Sequence, residues 1–195
     1  MSLRDRTAGW SWPSRALHWS MAALILLILT LGVYMARIEQ NLIVQYRLIQ
    51  FHKSLGAAIF ALALLRIAWR VGQPGHPPLP VSIPAWQRRA ARCSHLALYV
   101  LMLAIPLSGW LMASASPLND VDAVPFRIPN TVFGLFDLPD PFPEGSEQLE
   151  TVFRRAHGAL ALGMALLVAL HVAAALKHHL VDGDSVLRRM WRGGA

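Results

Sequence analysis

The chain has 195 residues, of which 55% are hydrophobic and 15% charged, and its mean hydropathy is +0.42. Soluble globular domains have about 45–50% apolar and about 25% charged residues, so the composition excludes an ordinary soluble enzyme and indicates a membrane protein. The net charge of +7 suits anionic lipid better than nucleic acid, because four apolar runs interrupt any basic surface. The single cysteine, Cys93, excludes an intramolecular disulfide and every motif built on two cysteines.

Four apolar runs are long enough to cross a bilayer as helices, which takes about 17–25 residues. In chain order they cover residues 16–35, 48–69, 95–113 and 157–176. The first run is longer than a typical signal-peptide core, so we expect it to be retained. The pattern predicts one all-α domain, residues 1–195, that is an integral membrane four-helix bundle with antiparallel, up-and-down transmembrane helices.

The Lys and Arg residues are distributed unevenly between the two sides of this topology. Eleven lie in the N-terminal segment, in residues 70–92 and in the tail from Lys177, whereas six lie on the other side. The positive-inside tendency therefore predicts that both termini are cytoplasmic. Residues 114–156 contain seven of the eleven acids and several prolines, so we expect an external loop whose charges are solvated or, alternatively, dock a partner.

Five of the eight histidines lie at or inside the ends of the predicted spans. His157 and His171 are 14 residues apart, which on a straight helix is about 21 Å along the axis and about 40° short of full register. The same interval separates three further pairs, which are His52 and Arg66, His18 and Gly32, and His95 and Gly109. In an antiparallel arrangement these residues form two layers. The inner layer contains His18, His95, His171 and Arg66, and the outer layer contains His52, His157, Gly32 and Gly109.

Two pairs of neutral imidazoles on facing helices suit two haem b groups, because haem iron takes axial nitrogens from opposite faces of the macrocycle. We pair His52 with His157 at the outer haem, and His18 with His171 at the inner haem. Zinc transport by a haem-free protein is a competing interpretation. However, the spans have no carboxylate or thiolate beside these histidine pairs.

Glycines and basic side chains complete the predicted haem sites. A residue without Cβ lets a porphyrin approach the backbone, and the predicted positions are Gly32, Gly56 and Gly109. Lys53 and Arg66 would neutralise haem propionates. The alternatives are that the glycines allow close helix packing and that the basic side chains extend to the headgroups.

A polar cluster is predicted at the inner headgroup level, where His178 continues the stripe of His171 about 10 Å further along the helix. The other members are His95, Arg92, Ser94 and Lys177. A quinone headgroup needs hydrogen-bond donors and a proton source near the redox centre, and imidazole supplies both. Anchoring of the helix end at the interface is the alternative.

Short motifs spread over about residues 14–190 resemble the prokaryotic cytochrome b561 family. They are R-A-L-H-W at 15–19, H-K-S-L-G at 52–56, W-R at 69–70, S-H-L-A-L-Y at 94–99, P-L-S-G at 106–109, H-G at 157–158 and H-V-A-A-A-L-K-H-H at 171–179. Each motif is short, and their common order and spacing make the resemblance specific.

The resemblance implies a bacterial inner-membrane di-haem protein that moves electrons between a periplasmic-side donor and ubiquinone. The family's haem-ligand histidines fall on the four that the spacing selects, which are His18, His52, His157 and His171. The chain looks most like the superoxide oxidase type, in which superoxide gives its electron to haem and ubiquinone is reduced. In that type the quinone region corresponds to His95, His178 and Lys177.

The acidic segment 114–156 is longer than in compact members of this family, and its negative charge would repel superoxide. Lys53, Arg154 and Arg155 would offset that repulsion locally. We therefore expect a superoxide:ubiquinone oxidoreductase. The alternative is a non-catalytic cytochrome b subunit, whose 114–156 loop exchanges electrons with a periplasmic dehydrogenase or cytochrome partner.

Overall fold

The computed structural model describes residues 4–5, 9–73, 75, 77–78, 83–119 and 129–193. Its long helices are α1 (Trp12–Arg37), α2 (Leu42–Val71), α3 (Ala85–Ser114) and α4 (Glu147–Leu180). The shorter elements are the 3-10 turn Pro117–Asn119, the strands β1 (Thr131–Val132) and β2 (Phe136–Asp137), and helix α5 (Val186–Arg192). The all-α class predicted from the sequence is confirmed, with one small hairpin added.

Each of the four long helices is long and apolar enough to cross a membrane. A helix satisfies its backbone polar groups internally, as the bilayer core requires. Along α4, Leu162, Leu166 and Leu170 recur every fourth residue and are 62%, 64% and 62% exposed. A contiguous apolar row of this kind indicates contact with lipid.

Helix α4 begins earlier than the sequence predicts, so the expected external loop 114–156 is wrong at its C-terminal end. The Ser146 hydroxyl accepts a hydrogen bond from the Leu149 N–H at 3.4 Å, as an N-cap does. Glu147 and Glu150 lie in the first turn, where carboxylates stabilise the positive end of the helix dipole. Two of the seven acids that suggested a loop therefore help to start a helix.

The β1–β2 hairpin is the other feature that the sequence interpretation missed. Phe133 and Gly134 both have positive φ, at 49° and 70°, as a type I′ turn requires. The Phe133 N–H donates to Ser54 Oγ at 2.9 Å, and Val132 is buried, so the hairpin packs on α2. Residues 120–128 of the predicted loop lie outside the described residues.

The packing divides the chain into two compact units, each of which contains part of all four long helices. Unit 1 comprises Met1–Ala23, Leu62–Val100 and Met164–Ala195, and unit 2 comprises Leu24–Ala61 and Leu101–Gly163. In unit 1, Met21 and Ala63 are fully buried; in unit 2, Leu55, Ile59 and Met102 form the buried apolar core. The expectation of a single domain stays a prediction.

In unit 1, polar side chains hold the beginning of α1 against α2 and α5. Ser14 Oγ donates to the buried Asp5 carboxylate at 2.8 Å and accepts from Trp69 Nε1 at 3.0 Å. Trp19 Nε1 donates to the Met190 carbonyl at 3.1 Å. These bonds fix the part of α1 that contains His18.

Two arginine substitutions at exposed apolar positions test the membrane fold. Leu166→Arg lies in the middle of α4 and should impair insertion, because an arginine at a helix centre costs about 2.5–3.5 kcal/mol in a bilayer. Val181→Arg, just after α4 and 76% exposed, is the matched control and should insert normally. The measurement is the yield of folded, monodisperse protein from the membrane fraction. Equal yields for the two variants would contradict the transmembrane assignment of α4.

Candidate functional site

In unit 2, helices α2 and α4 bring two imidazoles together. The ring centroids of His52 and His157 are 6.2 Å apart, with an interplanar angle of 74°. His157 Nδ1 lies 3.1 Å from the Ile105 carbonyl oxygen and 3.1 Å from Ser108 Oγ. Since a carbonyl only accepts, Nδ1 is the protonated nitrogen and Nε2 keeps its lone pair. Backbone carbonyls orient metal-binding histidines in this way.

The partner ring, His52, has a buried Nδ1 atom with no hydrogen-bond partner in the part of the chain that the structure describes. Buried polar atoms in folded proteins are nearly always paired. His52 therefore has binding capacity that the described protein atoms do not use, as expected for a ring that binds another group.

Gly32 and Gly109 leave space for these two rings. A Cβ on Gly32 would lie 3.3 Å from His52 Cε1, and a Cβ on Gly109 would lie 3.0 Å from His157 Cε1. The second distance is shorter than nearly all real Cβ contacts. A Cβ on Gly56 would make only an ordinary 3.9 Å contact with Ile28. The contribution of these glycines to porphyrin binding stays a prediction.

Lys53 binds the segment that precedes β1. Its Nζ donates to the Pro129 carbonyl and to Asn130 Oδ1, both at 3.0 Å. The Asn130 amide in turn donates to Asp140. The ammonium is thus hydrogen-bonded by the chain itself, and its pairing with a propionate stays a prediction.

In unit 1, three predicted histidines lie together. His171 is the common member, with ring centroids 6.2 Å from His18 and 5.5 Å from His95. Arg66 Nη2 lies 3.1 Å from His18 Nδ1, and its guanidinium carbon lies 5.6 Å from the centre of the Tyr99 ring. The four residues predicted for the inner layer are therefore brought together by the fold.

The contact with Arg66 fixes the tautomer of His18. A guanidinium can only donate, so His18 Nδ1 accepts and the proton of the neutral ring is on Nε2. Coordination of a metal through Nε2 of neutral His18 thus requires Arg66 to release Nδ1. His157 needs no such change.

The residues predicted around a quinone are only partly grouped. His95 packs against His171, Arg92 is exposed and Ser94 is half-buried. His178 and Lys177 instead contact Asp182, through His178 Nδ1 at 3.1 Å and Lys177 Nζ at 2.7 Å. The bond from the Lys177 ammonium holds the pKa of Asp182 below its ordinary value.

Sequence reasoning missed several side chains in these groups, although weak signals for them exist. Ser108 directly precedes Gly109, and Tyr99 lies four residues after His95, one helical turn further along the same face of α3. Asp182 lies four residues after His178, but the chain between them leaves the helix, so helical spacing gives no guide.

Comparison with known proteins identifies the family. The family model described as prokaryotic cytochrome b561 matches residues 9–193. The chain belongs to the prokaryotic cytochrome b561 family. The resemblance noted from the motifs is thereby confirmed.

Three curated relatives support this membership. Cytochrome b561 homolog 2 of Escherichia coli is 35% identical over 178 residues, covering 91% of this chain and 88% of the relative. Cytochrome b561 homolog 1 of the same organism is 29% identical over 141 residues, covering 71% and 72%. A protein of Yersinia pestis named probable superoxide oxidase CybB is 29% identical over 139 residues, also covering 71% and 72%.

Cytochromes b561 transfer electrons in bacterial membranes and typically bind haem b. The histidine pairs of this cytochrome fit that cofactor. With a metal–nitrogen bond of about 2 Å, imidazoles on opposite faces of one iron have ring centroids roughly 6.2 Å apart. The pairs His52–His157 and His18–His171 both have this separation, 6.2 Å.

Two glycine substitutions test the tight contact at His157. Gly109→Ala should lower the midpoint of thermal unfolding. Displacing the His157 ring costs about 1–3 kcal/mol, and this cost exceeds the gain in helix propensity. At Gly163 a new Cβ would have nothing within 4 Å, so Gly163→Ala should leave the midpoint unchanged or raise it through a gain of about 0.5–1 kcal/mol. Helix loss followed by circular dichroism in detergent is the measurement. Equal midpoints would show that Gly109 is not constrained by the ring.

Proposed function

We propose that this cytochrome transfers electrons across the bacterial inner membrane through two haem b groups, with both termini in the cytoplasm. Electrons pass from a donor on the periplasmic side to ubiquinone near the cytoplasmic side. The observation that carries the proposal is the equal 6.2 Å spacing of two imidazole pairs. Each pair is carried by apolar helices that are long enough to span a membrane.

In this proposal His52 and His157 would hold one haem, and His18 and His171 would hold the other. Haem iron supplies reversible one-electron transfer. The protein orients the ligands: Ser108 and the Ile105 carbonyl hold the His157 ring, and the space left by Gly109 lets that ring take its position. Arg66 would supply a positive charge for the propionates of the second haem once it releases His18.

His95 supports a ubiquinone site beside the inner pair. Its ring is 5.5 Å from that of His171 and its side chain is exposed. Reduction of ubiquinone to ubiquinol takes two electrons and two protons. We propose that His95 donates a hydrogen bond to a quinone carbonyl and passes a proton there, with Arg92 and Ser94 beside it. His178 and Lys177 would join this site only after leaving Asp182.

Superoxide is the proposed electron donor. The Yersinia pestis relative is named a probable superoxide oxidase. Each superoxide gives up one electron and leaves as dioxygen, so two superoxide anions reduce one ubiquinone, and two protons are taken up. Of the three basic side chains expected to attract the anion, Arg154 pairs with Glu150. Lys53 donates hydrogen bonds to Asn130 and to a backbone carbonyl. Among these three, the exposed Arg155 of unit 2 is therefore the side chain that would attract the anion.

A protein donor is the second candidate, and the acidic side chains of the α3–α4 connection favour it. Glu144 and the first-turn residue Glu147 are exposed. Such a surface attracts a basic partner and repels superoxide. In this case the chain would act as a non-catalytic cytochrome b subunit of a periplasmic dehydrogenase or cytochrome system.

Removal of single ligands tests the haem assignment. Purified protein should contain two haems per chain, and His157→Ala and His171→Ala should each contain one, because each variant removes one ligand of a different pair. His179→Ala, at an exposed histidine of α4, is the control and should retain two. The measurement is the pyridine haemochrome content per protein.

A conservative substitution keeps this test valid if an alanine variant misfolds. His157→Met should keep the haem but raise the reduction potential of one centre, because methionine is a ligand that raises it. Full haem content with unchanged spectra and potentials in both His157 variants would contradict the ligand assignment.

Opposite charge changes distinguish the two donors. With superoxide, Glu144→Gln should speed haem reduction about 2-fold at low ionic strength and Gln148→Glu should slow it similarly, with both effects fading in salt. With a basic protein donor, Glu144→Gln should slow haem reduction and Gln148→Glu should speed it. The measurement is stopped-flow reduction of the haem at two salt concentrations. No reduction of the haem by superoxide would rule out the superoxide proposal. An unchanged rate in both variants would show that the charges at positions 144 and 148 do not act on the anion.

A further inference from the structure

A cluster of three ligand-type side chains lies where α4 ends. His178 Nδ1 is 2.8 Å from Asp184 Oδ2 and 3.1 Å from Asp182 Oδ2. The three atoms all lie within 4.8 Å of one another. Histidine, cysteine, aspartate and glutamate are the usual metal ligands. Among the described residues, these three side chains form the group whose ligand atoms are close enough together to hold one metal ion.

The backbone builds this cluster. The Asp184 N–H donates to the His178 carbonyl at 3.0 Å, which folds the chain back onto the last turn of α4. Gly183 has φ of 65°, a conformation that L residues with side chains rarely adopt. Asp184 Oδ1 accepts the Val186 N–H at 2.9 Å, which holds the carboxylate in place at the start of α5.

The atoms that face each other inside the cluster have unused binding capacity. The Asp184 side chain is only 10% exposed and that of His178 is 16% exposed. Asp184 Oδ2 and His178 Nδ1 are buried, and neither forms a hydrogen bond of acceptable geometry. A buried carboxylate oxygen without a hydrogen bond is costly, and a bound cation would satisfy it.

The donor set selects the class of cation. One imidazole nitrogen and two carboxylate oxygens suit a borderline divalent transition metal such as Zn²⁺, with a fourth position for water. Tetrahedral ligands at about 2.0–2.1 Å from Zn²⁺ lie roughly 3.3 Å apart. The observed 2.8 and 3.1 Å separations need to open by only a few tenths of an ångström.

We propose that His178, Asp182 and Asp184 form a binding site for a divalent transition-metal ion, which ties the end of α4 to the start of α5. Lys177 is the competing cation, because its ammonium donates to Asp182 Oδ2 at 2.7 Å. The site contains neither of the proposed haem-ligand pairs. It shares His178 with the residues predicted around the quinone, but it does not depend on haem binding.

The test is equilibrium dialysis of haem-loaded, tag-free protein against buffered Zn²⁺, with bound zinc measured by mass spectrometry. A tag is avoided because polyhistidine binds zinc, and the haem keeps its ligand histidines engaged. The wild type should bind one Zn²⁺ per chain in a saturable manner. Asp184→Asn and His178→Gln should weaken this binding by more than about tenfold, whereas the exposed neighbour control His179→Gln should not.

Two results would overturn the metal site. One is the absence of saturable Zn²⁺ binding by the wild type, which would leave the cluster as an ion pair of His178 with two carboxylates. The other is equal Zn²⁺ affinity in Asp184→Asn and the wild type. Haem content, measured on the same samples, reports separately on the proposed function.

Discussion

An imidazole inside an apolar helix needs partners for both of its nitrogens, and lipid supplies none. This requirement governs both histidine groups. In unit 2 the Ile105 carbonyl satisfies His157 Nδ1, while His52 Nδ1 has no partner among the described residues. In unit 1 the guanidinium of Arg66 satisfies His18 Nδ1. Under the proposed function, iron would bind Nε2 of His157 directly, and Nε2 of His18 only once Arg66 releases Nδ1, which is why that function depends on the histidine pairs.

The two groups have the same ring spacing and different electrostatics. Arg66 brings a positive charge directly to the pair His18–His171. The ammonium of Lys53 donates to the Pro129 carbonyl and to Asn130. The carboxylates of Asp140 and Asp137 oppose its charge. A nearby cation stabilises the reduced state of haem, which has one positive charge fewer. Under the proposed function, electrons therefore move downhill from the His52–His157 centre to the His18–His171 centre, toward ubiquinone.

The sequence predicts well whatever depends on helix geometry alone. A fixed rise and turn per residue predicts that His171 lies near His18 and Gly109 near His157, and both pairs are in contact. The sequence interpretation failed at both ends of α4. At its beginning, Glu147 and Glu150 suggested a loop. At its end, helical spacing could not predict that the chain folds back and brings Asp184 to His178. It also could not place Lys53, whose partners Pro129 and Asn130 lie far away in sequence. Such contacts depend on tertiary packing, which no local period encodes.

The central claim is that two iron centres are each held by two imidazoles. A potentiometric titration of the purified protein, combined with electron paramagnetic resonance of the oxidised form, tests it most directly. We expect two separate one-electron transitions, both from low-spin ferric haem with two nitrogen ligands. A single transition, or a high-spin signal from iron with an open axial position, would contradict it.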